Sequence, residues 1–219
     1  MSISANIKSI KTKIPENVTL VAVSKTKSYN EILEAYHAGQ RVFGENKIQE
    51  MTQKWSELPK DIEWHMIGHV QRNKVKYMAA YVALIHGVDS LKLLKEINKQ
   101  AKKVQRVVPC LLQIHIAEEE TKFGFDREEL KALIDSRVLQ ELEHVQIKGL
   151  MGMATFTENA KQIRKEFKTL GAMYRALRKE LPDITELSMG MSGDYPIAIE
   201  EGSTMVRIGS SIFGARNKT

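Results

Sequence analysis

The feature that most constrains this chain is a rhythm. Short apolar, β-branched runs alternate with longer stretches of helical periodicity along most of its 219 residues. The runs read as strands are Val18–Ser24, Val42–Glu45, Trp64–Gly68, Val82–Gly87, Val107–Ile116, Ile147–Met153, Glu186–Met191 and Met205–Ile208. The stretches read as helices are Tyr29–Ala38, Ile48–Glu57, Val70–Tyr81, Leu91–Val104, Arg127–Leu142, Ala160–Glu180 and a short one at Ile197–Glu201, with Ser210–Ala215 as a last short segment. Consecutive parallel strands need a crossover, which a helix supplies. Eight such units predict closure into a (β/α)₈ TIM barrel. A doubly wound open sheet is the alternative, although it usually needs only about five or six strands.

Several boundaries have a chemical cause. Ser28 is placed to cap the helix starting at Tyr29, and Gly39 sits where a left-handed C-terminal residue is wanted. Asp89 or Ser90 is placed to cap the helix of Leu91, Leu94 and Ile97, and Asp126 with Glu129 forms an Asp-x-x-Glu start. Pro182-Asp183 ends the long helix. Ahead of the first strand, Ile3, Ile7, Ile10 and Ile14 recur at helical spacing and predict an extra N-terminal helix docked on the body. No linker or low-complexity tract interrupts the rhythm, so residues 1–219 are read as one domain.

Composition excludes rather than selects. A single cysteine, Cys110, lies in an apolar run and leaves no intrachain disulfide, which fits a reducing compartment. No run approaches the roughly 18 apolar residues of a membrane span, and the N-terminus lacks the apolar core of a secretory signal. A cytoplasmic protein without membrane contact is expected. The net charge of +6 is scattered at helical spacing, as in Lys92, Lys95, Lys99, Lys102 and Lys103, and no nucleic-acid recognition motif accompanies it. The six histidines show no metal-ligand spacing, and neither a Walker A loop nor a Gly-x-Gly-x-x-Gly follows the first strand.

In a (β/α)₈ barrel the site lies at the C-terminal ends of the strands. The first strand runs into Ser24-Lys25-Thr26. Lys25 either snorkels to solvent or is a desolvated amine fit to form an imine with an aldehyde. Strand seven ends in Ser188-Met189-Gly190-Met191-Ser192-Gly193-Asp194 and strand eight in Arg207-Ile208-Gly209-Ser210-Ser211. Phosphate sites of such barrels commonly follow strands seven and eight, where glycine admits a close backbone approach and serine adds donors. A short helix starting near Ser210 would add its N-terminal end.

Period-2 alternation puts Arg207 on the face of Gly209, one pleat below the mouth. There it either pairs with an acid inside the barrel or donates to the ring nitrogen of a planar cofactor, as in proteins that use pyridoxal 5′-phosphate (PLP). A guanidinium only donates and stays charged, so it would disfavour protonation of that nitrogen. Asn46 can hold a cofactor oxygen or pack beside its ring, and His65 is either a polar interior residue or a site residue.

At these positions the sequence resembles the PLP-binding, PLP-homeostasis proteins, whose fold is that of the alanine racemase N-terminal domain. The matching segments are Val21–Thr26, Phe43–Asn46, Trp64–Lys74, Glu119–Gly124, Leu187–Ser192 and Val206–Gly214. Two departures are small: Val70 stands where the family has Leu, and Ser210 where it often has Thr. The resemblance implies Lys25 as a Schiff-base lysine and Ser192, Gly209 and Ser210 around the phosphate. It further implies Arg207 at the pyridine nitrogen, with Asn46 and His65 lining the cofactor.

It also implies a monomeric carrier in intracellular vitamin B6 balance, with PLP-dependent apo-enzymes as acceptors and no established reaction of its own. The related racemases add a β-rich second domain and a tyrosine base from a partner subunit. The sequence ends four residues past Ala215, so that domain is expected to be lacking. Two-sided proton transfer would then want for a second base. A weak amino-acid racemase or decarboxylase is the alternative. A cofactor-free Schiff-base enzyme acting on a phosphorylated sugar is a further one.

Overall fold

A computed structural model describes residues 2–118 and 123–214. Eight parallel strands close into a barrel in sequential order, each hydrogen-bonded to its chain neighbours and the eighth to the first. They are β1 (Thr19–Val23), β2 (Val42–Glu45), β3 (Glu63–Met66), β4 (Leu84–Val88), β5 (Val108–Ile114), β6 (Val145–Gly152), β7 (Glu186–Met191) and β8 (Met205–Ile208). The α-helices are α1 (Ile3–Lys11), α2 (Tyr29–His37), α3 (Ile48–Glu57), α4 (Leu91–Lys103), α5 (Arg127–Asp135), α6 (Ala160–Glu180), α7 (Tyr195–Glu200) and α8 (Ser210–Phe213). The barrel and the additional N-terminal helix are both as the sequence predicts. Ile7, Ile10 and Ile14 of the predicted stripe are buried, and Asn6 Nδ2 donates to Ile212 O, tying the N-terminal helix to the last turn of the chain.

Two expected helices are shortened. The segment read as Val70–Tyr81 forms a 3₁₀ helix over Arg72–Tyr77. Its buried anchors Val75 and Met78 lie three apart, the spacing at which 3₁₀ side chains eclipse. The segment read as Arg127–Leu142 stops at Asp135. Ser136 Oγ donates back to Leu133 O, and Arg137 turns left-handed at φ 55° before a 3₁₀ turn over Val138–Glu141. The helix expected at Ile197–Glu201 begins earlier, at Tyr195, with Pro196 in its first turn, where a missing N–H costs nothing.

Capping follows the sequence closely. Ser28 with Glu31 and Asp126 with Glu129 form complete capping boxes, Ser90 rather than Asp89 caps α4, and Gly39 takes φ +86° just past α2.

The barrel separates two apolar layers. The larger lies between strands and helices and holds Phe43, Trp64, Met51 and Phe167, all excluded from solvent. The smaller fills the barrel itself with Val21, Leu84, Leu111, Met151 and Met205. At full burial each such side chain contributes roughly 1.5–3 kcal/mol. Above this inner plug the interior turns polar, with His65, His86, Gln113, Ser188 and Arg207 all buried. That change of character prepares the mouth. Among the described residues no helix is long and apolar enough to cross a membrane.

Candidate functional site

A cavity of about 1140 Å³ opens at the C-terminal ends of the strands. Lys25, Asn46, Ser192, Arg207, Gly209 and Ser210 all line it. His65 does not. It lies 4% exposed, with Nδ1 at 3.0 Å from His86 Nε2. Glu119–Lys122 of the loop after β5, and residues from Ala215 on, lie outside the described residues.

Lys25 follows β1 in a tight turn whose next residue, Thr26, is left-handed at φ 63°. Both peptide groups flanking Lys25 are gripped from behind. Lys54 Nζ of α3 donates to Ser24 O at 2.8 Å, and Thr26 N donates to Glu50 Oε1 at 2.6 Å. Lys54 also pairs with Glu45 Oε1 at 2.8 Å and Glu50 Oε1 at 2.7 Å, while Ser24 Oγ donates to Glu45 Oε1. Lys54 is 3% exposed and Glu45 wholly buried. Burial pushes the Glu45 carboxyl up, against the opposing pull of Lys54 and Ser24. Alternation explains the division of labour. Ser24 and Glu45 face outward to the helices, while Lys25 and Asn46, one residue on, face the cavity.

Across the mouth, Gly209 N donates to Ser192 Oγ at 3.3 Å and joins the ends of β7 and β8. A Cβ at Gly209 would stand 3.2 Å from Val23 Cβ, so any side chain there would have to push Val23 back by a few tenths of an ångström. The helix at Ser210 is a single turn, so it offers exposed N–H groups rather than a macrodipole.

Below this turn lies Arg207, buried as alternation predicts. Its NH1 donates to Ser188 O at 3.0 Å and to Ser188 Oγ, and NH2 donates to Gly152 O at 3.0 Å. The acid pairing open to it in the sequence is not the arrangement found. Its three acceptors among the described residues are neutral, and the nearby Asp194 carboxylate opposes the effect of burial on it. Burial pulls the guanidinium down to about 10.

Three features of the site escaped sequence reasoning. The ion cluster behind Lys25 needed α3 to fold against β1 and β2 before Lys54 could be read as anything but a surface lysine. His86 and Ser188 were legible as inward-facing by alternation, but only barrel closure puts them together. One wall of the cavity comes from the loop Met153–Ala160. There Thr155 is held by the buried Glu166, which accepts its N–H and its hydroxyl, each at 2.7 Å. This fixes the base of Phe156, a ring 97% exposed at the rim.

The family defined by the alanine racemase N-terminal domain matches residues 1–217. A pyridoxal phosphate homeostasis protein of Aquifex aeolicus is 42% identical over 199 residues, covering 90% of this chain and 86% of that protein. One from Vibrio alginolyticus is 40% identical and covers 94% and 89%. The chain belongs to the pyridoxal phosphate homeostasis family.

Solved structures agree. PipY of Synechococcus elongatus, 36% identical, superposes with a TM-score of 0.92 without PLP and 0.89 with PLP bound, covering 97% of this chain and all of PipY. An alanine racemase of Clostridium difficile, 16% identical with a TM-score of 0.78, shares the fold, and this chain spans 56% of it.

Proposed function

We propose that this member of the homeostasis family binds PLP in the barrel mouth and holds it as a Schiff base on Lys25. One observation carries the reading. A buried guanidinium whose hydrogen-bond acceptors among the described residues are all neutral lines the same cavity as the Lys25 amine and the strand ends of Ser192, Gly209 and Ser210. A buried cation calls for an acceptor to complete its shell, an amine calls for an aldehyde, and a turn of N–H and hydroxyl donors calls for an anion. PLP presents a ring nitrogen, an aldehyde and a phosphate on one rigid ring.

Bound there, PLP would supply an aldehyde able to capture an amine, and Lys25 Nζ would be the amine that holds it. The chain's own residues do the rest. Ser192, Gly209 and Ser210 would surround the phosphate, Asn46 would lie beside the ring, and Arg207 would donate to the ring nitrogen while holding no proton that can be given up near neutrality.

The cavity is larger than PLP alone would need. At about 1140 Å³ it exceeds the roughly 300–1,000 Å³ of an ordinary small-molecule site, leaving room for an incoming amine beside the cofactor. The other titratable groups on its described wall are Lys27, which is engaged with Phe213 O and Glu31, Asp194, whose Oδ1 accepts the Met191 N–H, and Glu158, exposed on the rim loop. We read the chain as one cytoplasmic, monomeric domain that passes PLP to apo-enzymes.

The test is an absorbance spectrum of the purified protein with PLP before and after borohydride, with mass spectrometry of the reduced adduct. The expected result is one modified residue, Lys25, and loss of the adduct in Lys25→Ala with an unchanged melting temperature of the PLP-free protein. A Lys25→Ala protein retaining the adduct at the same stoichiometry overturns the assignment.

A further inference from the structure

Inside the barrel, directly beneath the cavity, four buried side chains from four strands form one hydrogen-bonded chain. His65 of β3 meets His86 of β4 (Nδ1 to Nε2, 3.0 Å), His86 meets Ser188 of β7 (Nδ1 to Oγ, 3.0 Å), and Ser188 Oγ meets Arg207 of β8. The chain crosses the barrel and ends on the guanidinium that lines the cavity. Neither histidine reaches the cavity wall, so neither is accounted for by contact with a ligand there.

The direction of the chain follows from donor arithmetic. A guanidinium only donates, so Ser188 Oγ must accept from Arg207. Ser188 carries one hydroxyl proton, and its other contact among the described residues is His86 Nδ1. Turning the hydroxyl to His86 makes both contacts hydrogen bonds. His86 Nδ1 is then the acceptor, its Nε2 carries the proton, and that N–H donates to His65 Nδ1. Burial holds both rings neutral, with His65 lowered to about 3 and His86 pushed well below its usual value by burial, His65 and Arg207 together. The polarity of the chain is therefore fixed near neutral pH.

We propose that His86 is a positioning residue. By drawing the Ser188 hydroxyl proton toward itself, it turns the Ser188 oxygen to Arg207 and fixes the guanidinium so that its remaining N–H hydrogens face the cavity ligand. The chain works as a neutral strut. None of its links between His65 and Arg207 is a carboxylate that would compete with the ligand for the cation. As far as that ligand is PLP, the inference rests on the function proposed above, with the ring nitrogen at Arg207.

Two measurements test it. In the PLP-free protein, long-range ¹⁵N–¹H spectra of labelled histidine report tautomers directly, and both His86 and His65 are expected as Nε2–H forms. Finding His86 as the Nδ1–H form overturns the proposal, whatever PLP does.

In the PLP-loaded protein, His86→Leu removes the acceptor and His86→Asn restores one near the place of Nδ1. His86→Leu is expected to weaken PLP retention on the order of tenfold and to displace the bound cofactor's absorption maximum, while His86→Asn returns both toward wild type. Equal losses in the two variants, or no change in His86→Leu, would show mere packing and sink the idea. Absence of a reducible adduct in the wild-type protein would instead refute the function proposed above, with the tautomer result standing by itself.

Discussion

The two polar clusters that flank the cavity solve the same problem in opposite ways. Behind Lys25 the solution is charge: Glu45, Lys54 and Glu50 form an ion cluster on the outer face of the strands and hold main-chain atoms. Beneath Arg207 it is neutrality: two uncharged histidines and a serine lie inside the barrel and hold a side chain. A charge cluster suits the first place, because Lys25 lines the cavity on the other side and the cluster holds the peptide groups that flank it. It would fail in the second, because a carboxylate beside Arg207 would satisfy the guanidinium and leave a ligand nothing to complete. The difference teaches that a site can be rigid without being electrostatically saturated.

The comparison breaks most visibly at Lys54. Lys54→Met keeps the stem's volume and removes the ammonium, leaving Glu45 buried with Ser24 as its only remaining partner in the cluster. Removing one partner of a buried pair costs about 3–5 kcal/mol, and thermal melts of the PLP-free protein should show it. Adding Glu45→Leu should recover part of that loss, because no uncompensated carboxylate then remains. A double variant no more stable than Lys54→Met would mean that the cluster works by packing alone.

The neutral cluster is sharpened by pH. Both His65 and His86 have folded-state pKa values depressed below the usual histidine range. The unfolded chain therefore binds protons that the folded one refuses, and stability rises with pH across that window. The contribution is fully present above about 6.5 and is lost as pH falls toward the folded value of about 3 for His65. Below pH 6.5 each buried ring should contribute a slope of up to about 1.4 kcal/mol per pH unit. Denaturant melts between pH 7 and 5 should show this decline, and His86→Leu should flatten it. An unchanged slope in that variant would place the ring in water in the folded state.

How much of this was legible in the sequence differs between the two clusters for a physical reason. The barrel, its order of elements, most caps and the inward phase of Arg207 and Gly209 all follow from local periodicity, which a single sequence carries. So does the gathering of Lys25, Asn46, Ser192, Gly209 and Ser210 at one mouth, once strand ends are known to converge there. Lys54 could not be read, because a lysine on an amphipathic helix is ordinarily solvated, and only the packing of α3 on β1 and β2 buries it. His65 was ambiguous for a related reason. Alternation gives the face a side chain takes but not its depth along the barrel axis, and one layer of depth separates the cavity wall from the strut.

The smallest effect belongs to the hydrogen bond that ties the end of β7 to the end of β8, where neither charge nor deep burial is at work. Ser192 Oγ accepts the Gly209 N–H over 3.3 Å, a weak contact of one half-buried hydroxyl. Ser192→Ala should therefore cost the PLP-free protein no more than about 0.5–1 kcal/mol. Its consequence should appear in ligand retention instead, since the same hydroxyl and that of exposed Ser210 are the side-chain donors at the proposed phosphate position. Ser192→Ala with Ser210→Ala should release PLP faster than either single change, while inorganic phosphate, which competes for this turn in the wild type, should lose its effect in the double variant. If wild type and double variant retain PLP equally, the phosphate does not rest on these strand ends. The rigid frame described for Lys25 and Arg207 would then be aimed at a ligand lying differently in the cavity.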